Sequence, residues 1–362
     1  SSALEITSVL HKIWDNNNKG ASIMAKAIQW HEISPADVEG KGWSDTGKPF
    51  ARLPERIKEQ LPDVWPHAQS SIGMCVFFNT DSSSFHVKYT LETGPIGESN
   101  FNVTAHSGTD LYVYDTAEKR WRWAAATPHS AIKDRNPEVT LIDEIPGKMR
   151  RCRLYFPMRN EVSNFFIGVD SGAKFELVAP RKKKPLVYYG TSIVHGAFAI
   201  RSGLGTAQIV ARELDLPLIN LGFSGAARLE PEMAELLAEQ DAKLFVIDPY
   251  HNLSPEMVKG NTETFIEILC SKRPKTPVVM LGAPQHLHAW LKPGLQKSED
   301  EKTHFYGKIC RRMMKKYPNL HYLKGSNFYG SDEVSMDGVH PNDEAFSHMA
   351  KILVKKFSKL IE

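Results

Sequence analysis

The chain has 362 residues, more than one hydrophobic core usually supports, so two domains are expected. An apolar content of 41% and a charged content of 24% are those of an ordinary folded protein, and a net charge of +3 is too small to argue for nucleic acid or an anionic membrane as partner. No apolar run is long enough to span a bilayer.

The first residues, Ser1-Ser2-Ala3, lack a methionine, as a trimmed precursor or an expressed fragment would. Residues 1 to about 40 mix helical and extended signals and receive no element. From Trp43 to about Val178, short apolar runs recur: Gly73–Phe78, Phe85–Tyr89, Leu111–Tyr114, Arg153–Phe156 and Asn164–Gly168. Turn clusters such as Asn79–Ser84 and Thr93–Gly97 separate them, the texture of an all-β sandwich or jelly roll. Cys75, Cys152, Cys270 and Cys310 have neither C-x-x-C spacing nor a dense framework. Free buried thiols are expected, with one disulfide in each half as the alternative. Pro180-Arg-Lys-Lys-Lys-Pro185 reads as a solvated linker, dividing the chain into a β-sandwich at 1–180 and a second domain at 185–362.

Beyond the linker the period changes. Strand-like runs at Leu186–Tyr189, Leu218–Leu221, Leu244–Ile247, Val278–Leu281 and His321–Leu323 alternate with helix-like segments. The helices are expected near Thr206–Leu214, Pro231–Glu239, Pro255–Leu269, Asp300–Lys316 and Asp343–Lys359. Such alternation predicts an α/β/α domain with a five-stranded parallel sheet, because parallel strands need crossovers that cover both faces.

The ends of those strands carry the chemistry. Leu186–Tyr189 stops at Gly190, and Ser192 follows at the start of a helix, so its hydroxyl lies at the carboxyl edge of the sheet, where open α/β folds place ligands. Asn220-Leu-Gly-Phe-Ser-Gly225 follows the second strand and can aim the Gly222 N–H into a cleft. Asp248-Pro-Tyr-His-Asn252 follows the third and puts an amide on a loop. Asp337-Gly-Val-His340 precedes the last helix, which Asn342 or Asp343 can cap. Acyl transfer needs these parts. A serine hydroxyl needs an imidazole to take its proton, a carboxylate holds that imidazole in the right tautomer, and the tetrahedral oxyanion needs donors. Singly, Ser192 is a helix cap, Gly222 a turn residue, Asn252 a loop residue and His340 a surface histidine. Their order after successive strands is what argues for chemistry.

In these blocks the second half resembles the SGNH (GDSL-type) hydrolase superfamily, whose four blocks supply Ser, Gly, Asn and His. Gly190-Thr-Ser192, Gly222-Phe-Ser-Gly225, Asn252 and Asp337-Gly-Val-His340 take those places. Gly108-Thr-Asp-Leu-Tyr112 is similar to the Gly-x-Asp-Leu-Tyr signature of a β-rich domain found ahead of such esterases, and Gly40-Lys-Gly-Trp43 and Phe50-Ala-Arg-Leu-Pro54 look like parts of it. The resemblance implies a serine esterase without cofactor or metal. Ser192 would be its nucleophile, His340 its base, Asp337 the orienting acid, and Ser192, Gly222 and Asn252 its oxyanion donors. It further implies O-acyl groups on carbohydrate, O-acetyl first among them, or another small ester as substrate, and a secreted or periplasmic bacterial location. Thr191 departs from the usual Asp of the nucleophile block, and Ala226 follows the glycine block where a polar residue is common.

His286 and His288 of Gln285-His-Leu-His288 lack a third ligand nearby in sequence and read as cleft wall rather than metal site. His195 and His251 flank the blocks and are candidate substrate contacts beside their packing alternative. Six of the seven tryptophans precede the linker, mostly as core, with Trp43 and Trp123 as candidate edge rings for a sugar. The alternatives are a longer-chain lipase or acyltransferase on the same machinery and a carbohydrate-binding protein without activity.

Overall fold

The structure, a computed structural model, describes residues 27–92 and 94–362. The mixed signals of residues 1–26, and Trp14 with them, lie outside the described residues.

The first half is built from β1 (Ile28–Glu32), β2 (Val38–Glu39), β3 (Cys75–Thr80), β4 (Phe85–Leu91), β5 (Asp110–Asp115), β6 (Arg120–Ala126), β7 (Glu138–Ile142), β8 (Arg150–Tyr155), β9 (Val162–Asp170) and β10 (Phe175–Val178). They form two antiparallel sheets, β1-β9-β4-β7 and β10-β3-β8-β5-β6, with β2 pairing β3. Phe85, Val87, Tyr89 and Leu91 alternate along β4 and share one core with Val76 and Phe78 of β3 and Cys152 and Leu154 of β8. This period of two is what packs one sheet face on another. The strand β6, Arg120-Trp-Arg-Trp-Ala-Ala-Ala126, gave no apolar run in the sequence because it is a largely exposed edge strand.

The second half holds β11 (Leu186–Gly190), β12 (Leu218–Gly222), β13 (Leu244–Asp248), β14 (Val278–Leu281) and β15 (Leu320–Leu323), all parallel in the order β12-β11-β13-β14-β15. Val187, Tyr189, Phe245 and Ile247 pack on one side with the helices Pro231–Leu237, Pro255–Lys272 and Pro293–Met313. Leu186, Tyr188, Leu244 and Val246 pack on the other with Thr206–Glu213 and Asp343–Ile361. Burial on both faces accounts for the unbroken apolar runs of these strands. The helix expected from Asp300 begins at Pro293. Proline suits the first helical turn, whose N–H has no partner anyway, and the polar stretch after it hid the period.

The two halves are tied together closely. Leu53, Ile57, Leu61, Val64 and Ala68, from the segment between β2 and β3, join the core of the second half rather than the sandwich. The linker is anchored: Arg181 bonds Glu39 at 2.6 Å and Asp215 at 2.6 Å, and Lys184 reaches Asp241 at 2.8 Å. All four cysteines are free and buried. No helix among the described residues is long and apolar enough to cross a membrane.

Candidate active site

Strand register assembles the site. Gly190 of β11 lies opposite Gly222 of β12 on one side and Asp248 of β13 on the other, so the loops that follow leave from one level of the sheet's carboxyl edge. Ser192 opens the short helix Ser192–His195. Thr191 caps it: its Oγ1 accepts the Ile193 N–H at 3.2 Å, while its own N–H donates to the Asp248 carbonyl at 3.2 Å. A threonine thus does the capping work at the position where the block usually has an aspartate.

Ser192 Oγ lies 2.7 Å from His340 Nε2, and His340 Nδ1 lies 2.6 Å from Asp337 Oδ2. The other carboxylate oxygen, Oδ1, accepts the His340 N–H at 2.8 Å and the Val339 N–H at 2.9 Å. Burial raises the Asp337 carboxyl, but these bonds from the His340 and Val339 N–H groups and the His340 ring outweigh it and hold the acid down at about 2. A permanent carboxylate at Nδ1 keeps the ring proton there and leaves Nε2 to accept from the serine hydroxyl. The Phe198 ring lies 5.4 Å from that of His340, tilted 44° to it.

Three donors on the segments that follow β11, β12 and β13 have no acceptor. The Ser192 N–H and the Gly225 N–H make no hydrogen bond among the described residues, and Asn252 Nδ2 is buried without a partner. The Gly222 N–H, expected as a donor to the site, is instead spent on Asn220 Oδ1 at 2.9 Å. Gly222 is a glycine because the Ser192–His195 helix lies against it: a Cβ there would come 2.2 Å from His195 N. Gly225, at φ +72° with open space beside it, keeps its N–H uncommitted, which the sequence did not single out. The signal was present as the second glycine of Gly222-Phe-Ser-Gly225.

Two further expectations fail. His195 is fully buried and faces no cleft. Its Nε2 lies 3.0 Å from the Met158 carbonyl, which can only accept, and its Nδ1 lies 3.2 Å from Ser224 Oγ, so the ring is a neutral strut between the Ser192 helix and the glycine turn. Burial, with Arg52 and Arg159 nearby, keeps it well below its ordinary value. Trp43 is 8% exposed, packs in the core of the second half and donates to Glu239 at 2.7 Å, so it offers no face to a sugar. Its glycine neighbours had suggested an edge, but the chain turns it inward.

His251 adjoins Asn252 in the chain, and its ring lies 6.0 Å from that of His286. Burial pushes His251 down to about 3 and keeps it neutral, while His286 lies 3.2 Å from Glu299. Trp123 is 53% exposed, its Nε1 held by Asp110 at 3.0 Å and its ring 5.0 Å from the Arg201 guanidinium.

The Gly-x-Asp-Leu-Tyr segment has a clear task. Buried Asp110 accepts from Arg201 at 2.9 Å and from the Gly203 N–H at 2.8 Å, and Tyr112 meets Arg201 at 2.8 Å. The motif therefore clamps the loop that follows the Ser192 helix. Asn100 and Asn102 add to the clamp, the first accepting the Phe198 N–H at 2.8 Å and the second donating to the Ala199 carbonyl at 3.2 Å. A cleft of about 890 Å³ opens along this seam, lined by Glu98, Asn102, Thr104, His129, Ile200 and Arg201.

Residues 183–358 match the model of the GDSL-like lipase/acylhydrolase family, and residues 28–175 match that of the N-terminus of SGNH-hydrolase-type esterases. No curated protein matches the chain. Among solved structures, a protein from Bacteroides ovatus assigned as a GDSL-like lipase is 28% identical over 92% of this chain and 98% of its own, with a TM-score of 0.85. The salicylyl-acyltransferase SsfX3 of a tetracycline biosynthetic pathway is 20% identical over 91% of this chain and 97% of its own, with a TM-score of 0.70. A family two carbohydrate esterase from Cellvibrio japonicus is 10% identical over 92% and 99%, with a TM-score of 0.59. The last two are similar in fold alone.

Proposed function

The chain belongs to the SGNH, or GDSL-like, hydrolases, and from that premise we propose that it is a serine esterase removing O-acyl groups, acetyl first among them, from carbohydrate. The observation that carries the reading is the hydrogen-bonded line from Ser192 Oγ through His340 to Asp337, at 2.7 and 2.6 Å. In this reading His340 Nε2 takes the Ser192 proton as Oγ attacks the ester carbonyl. The tetrahedral oxyanion is met by the N–H groups of Ser192 and Gly225 and by Asn252 Nδ2. His340 returns the proton to the leaving sugar oxygen, and a water activated by the same imidazole then releases the acid.

The carbohydrate half of the proposal rests on the seam between the two domains, which we place at 1–180 and 185–362. Its cleft mixes carboxylate, amide, hydroxyl and imidazole groups with the Ile200 side chain, as a sugar with polar edges and an apolar face requires. His251, His286 and the half-exposed Trp123 ring are the remaining candidate contacts. Action on such a polymer goes with a secreted or periplasmic protein, which fractionation of the native host tests.

The lipase-like alternative also has an observation behind it. Ile200, Trp290, Leu291 and Met336 are exposed on the segments beside the triad, and Leu287 of the 285–291 loop donates to the Gly338 carbonyl at 2.8 Å. An ester series from acetyl to octanoyl decides between them. The proposed function expects acetyl to be fastest, and a rate that climbs with chain length favours the alternative. A fluorophosphonate probe should label the wild-type protein and not Ser192→Ala. An unlabelled wild type would leave only a binding protein.

A further inference from the structure

We propose that Arg52, from the N-terminal half, is a positioning residue for the turn that carries the Gly225 oxyanion donor; this rests on the esterase reading above. Its side chain is fully buried, yet among the described residues no carboxylate is ion-paired with it. The guanidinium is surrounded by backbone acceptors instead. Nη1 donates to the Gly222 carbonyl at 2.8 Å and the Asn220 carbonyl at 3.1 Å, and Nε donates to the Ser70 carbonyl at 2.9 Å. Nη2 bonds Ser70 Oγ at 3.0 Å and the His67 carbonyl. The guanidinium also lies 4.7 Å from the centre of the Phe223 ring. One planar fork thus grips Asn220, Gly222 and Phe223, the residues leading into Ser224 and Gly225.

The grip reaches the nucleophile by two routes. Asn220 Nδ2 donates to the Val194 carbonyl at 2.9 Å while Asn220 Oδ1 accepts the Gly222 N–H. Ser70 Oγ lies 3.3 Å from His195 Nε2, and the far side of that ring meets Ser224 Oγ. The Ser192 helix and the glycine turn are therefore indexed to each other around one cation. An unpaired buried cation is a costly way to fill a core that a methionine or leucine would fill without desolvating a charge. What a guanidinium adds is direction, because its fixed fork sets the angles of several carbonyls at once. Burial, with Arg159 nearby, pushes it down only to about 9, so it stays charged at neutral pH.

Displacing a donor by as little as an ångström, or losing one, costs about a hundredfold in turnover. Arg52→Met, which keeps the length and loses the fork, should therefore cut kcat on an aryl acetate about a hundredfold with KM within about threefold, and should slow fluorophosphonate labelling in parallel. Arg52→Lys should recover part of the rate, and millimolar guanidinium should restore Arg52→Ala. Arg56→Met, which removes only surface pairs with Asp45 and Glu239, is the control and should match wild type. An Arg52→Met protein with near-normal kcat overturns the proposal. So does a loss that merely tracks unfolding in both the Met and Lys variants without guanidinium rescue, since Arg52 would then be core and nothing more. A wild type that the probe fails to label overturns the esterase reading itself, and this one with it.

Discussion

Asp337→Asn separates an orienting carboxylate from a bystander. Asp337 Oδ1 accepts two backbone N–H groups, from Val339 at 2.9 Å and His340 at 2.8 Å, while Oδ2 faces His340 Nδ1 at 2.6 Å. An asparagine that keeps its oxygen on the two N–H groups must present its NH2 to the imidazole. Nδ1 then becomes the acceptor, the ring proton moves to Nε2, and His340 cannot take the serine proton. The amide can flip to restore the productive tautomer only by giving up both backbone bonds, at about 1 kcal/mol each. About 2 kcal/mol leaves roughly 3% of molecules productive, so the flip limits the loss to no less than about thirtyfold, and the wrong tautomer alone costs up to about ten-thousandfold. The expected result is a kcat loss of between about thirtyfold and about ten-thousandfold on an aryl acetate with KM little changed. Stability supplies a second signature. The folded-state acid is held at about 2, below its ordinary ~3.9, so its contribution is present above about pH 4 and disappears as pH falls toward 2. The melting temperatures of wild type and variant should converge over that window. A variant that turns over within threefold of wild type, while His340→Ala is dead, would refute the orienting role.

Asn252→Ala should lower kcat about a hundred- to a thousandfold, the cost of one oxyanion donor, with binding preserved; a lower melting temperature with normal turnover of the folded fraction would make Asn252 structural instead. Asp248 is buried, its Oδ2 has no hydrogen-bond partner among the described residues, and burial pushes it up to about 7. An acid raised in the folded state favours folding fully below about pH 4, and that advantage is lost as pH rises through 7, so Asp248→Asn should gain on wild type from pH 4 to 7 and hold a lead of a few degrees at pH 8. Parallel melting curves across that range would contradict it. Trp123→Ala should raise KM for sugar acetates roughly 2- to 10-fold, the worth of a ring contact, and spare aryl acetates; equal effects on both substrates would mean that the ring only packs on Arg201.

What could be read from the chain and what could not divide along a physical line. The change from period two to alternating strand and helix at the linker is local, and it announced both architectures. Ser192 and the Asp337-Gly-Val-His340 block, which meet at 2.7 Å, could be picked out because one follows a strand end, the other precedes a helix, and a parallel sheet gathers such ends on one edge. Residues whose work depends on a partner far along the chain were not legible. Trp43 is decided by Glu239, 196 residues away, and Asp110 by Arg201, 91 residues away. The glycine block shows the limit most sharply. Gly222 and Gly225 are chemically identical and three residues apart, yet one is fixed by the 2.2 Å approach of His195 and the other by a left-handed turn with an uncommitted N–H. Composition cannot rank them, because the difference lies in which neighbour the register Gly190–Gly222 brings against each. The same holds for Arg52. Its motif could be quoted from the sequence, but the Asn220 and Gly222 carbonyls it meets across the domain seam could not, so the first half of the chain reaches into the turn that carries Gly225.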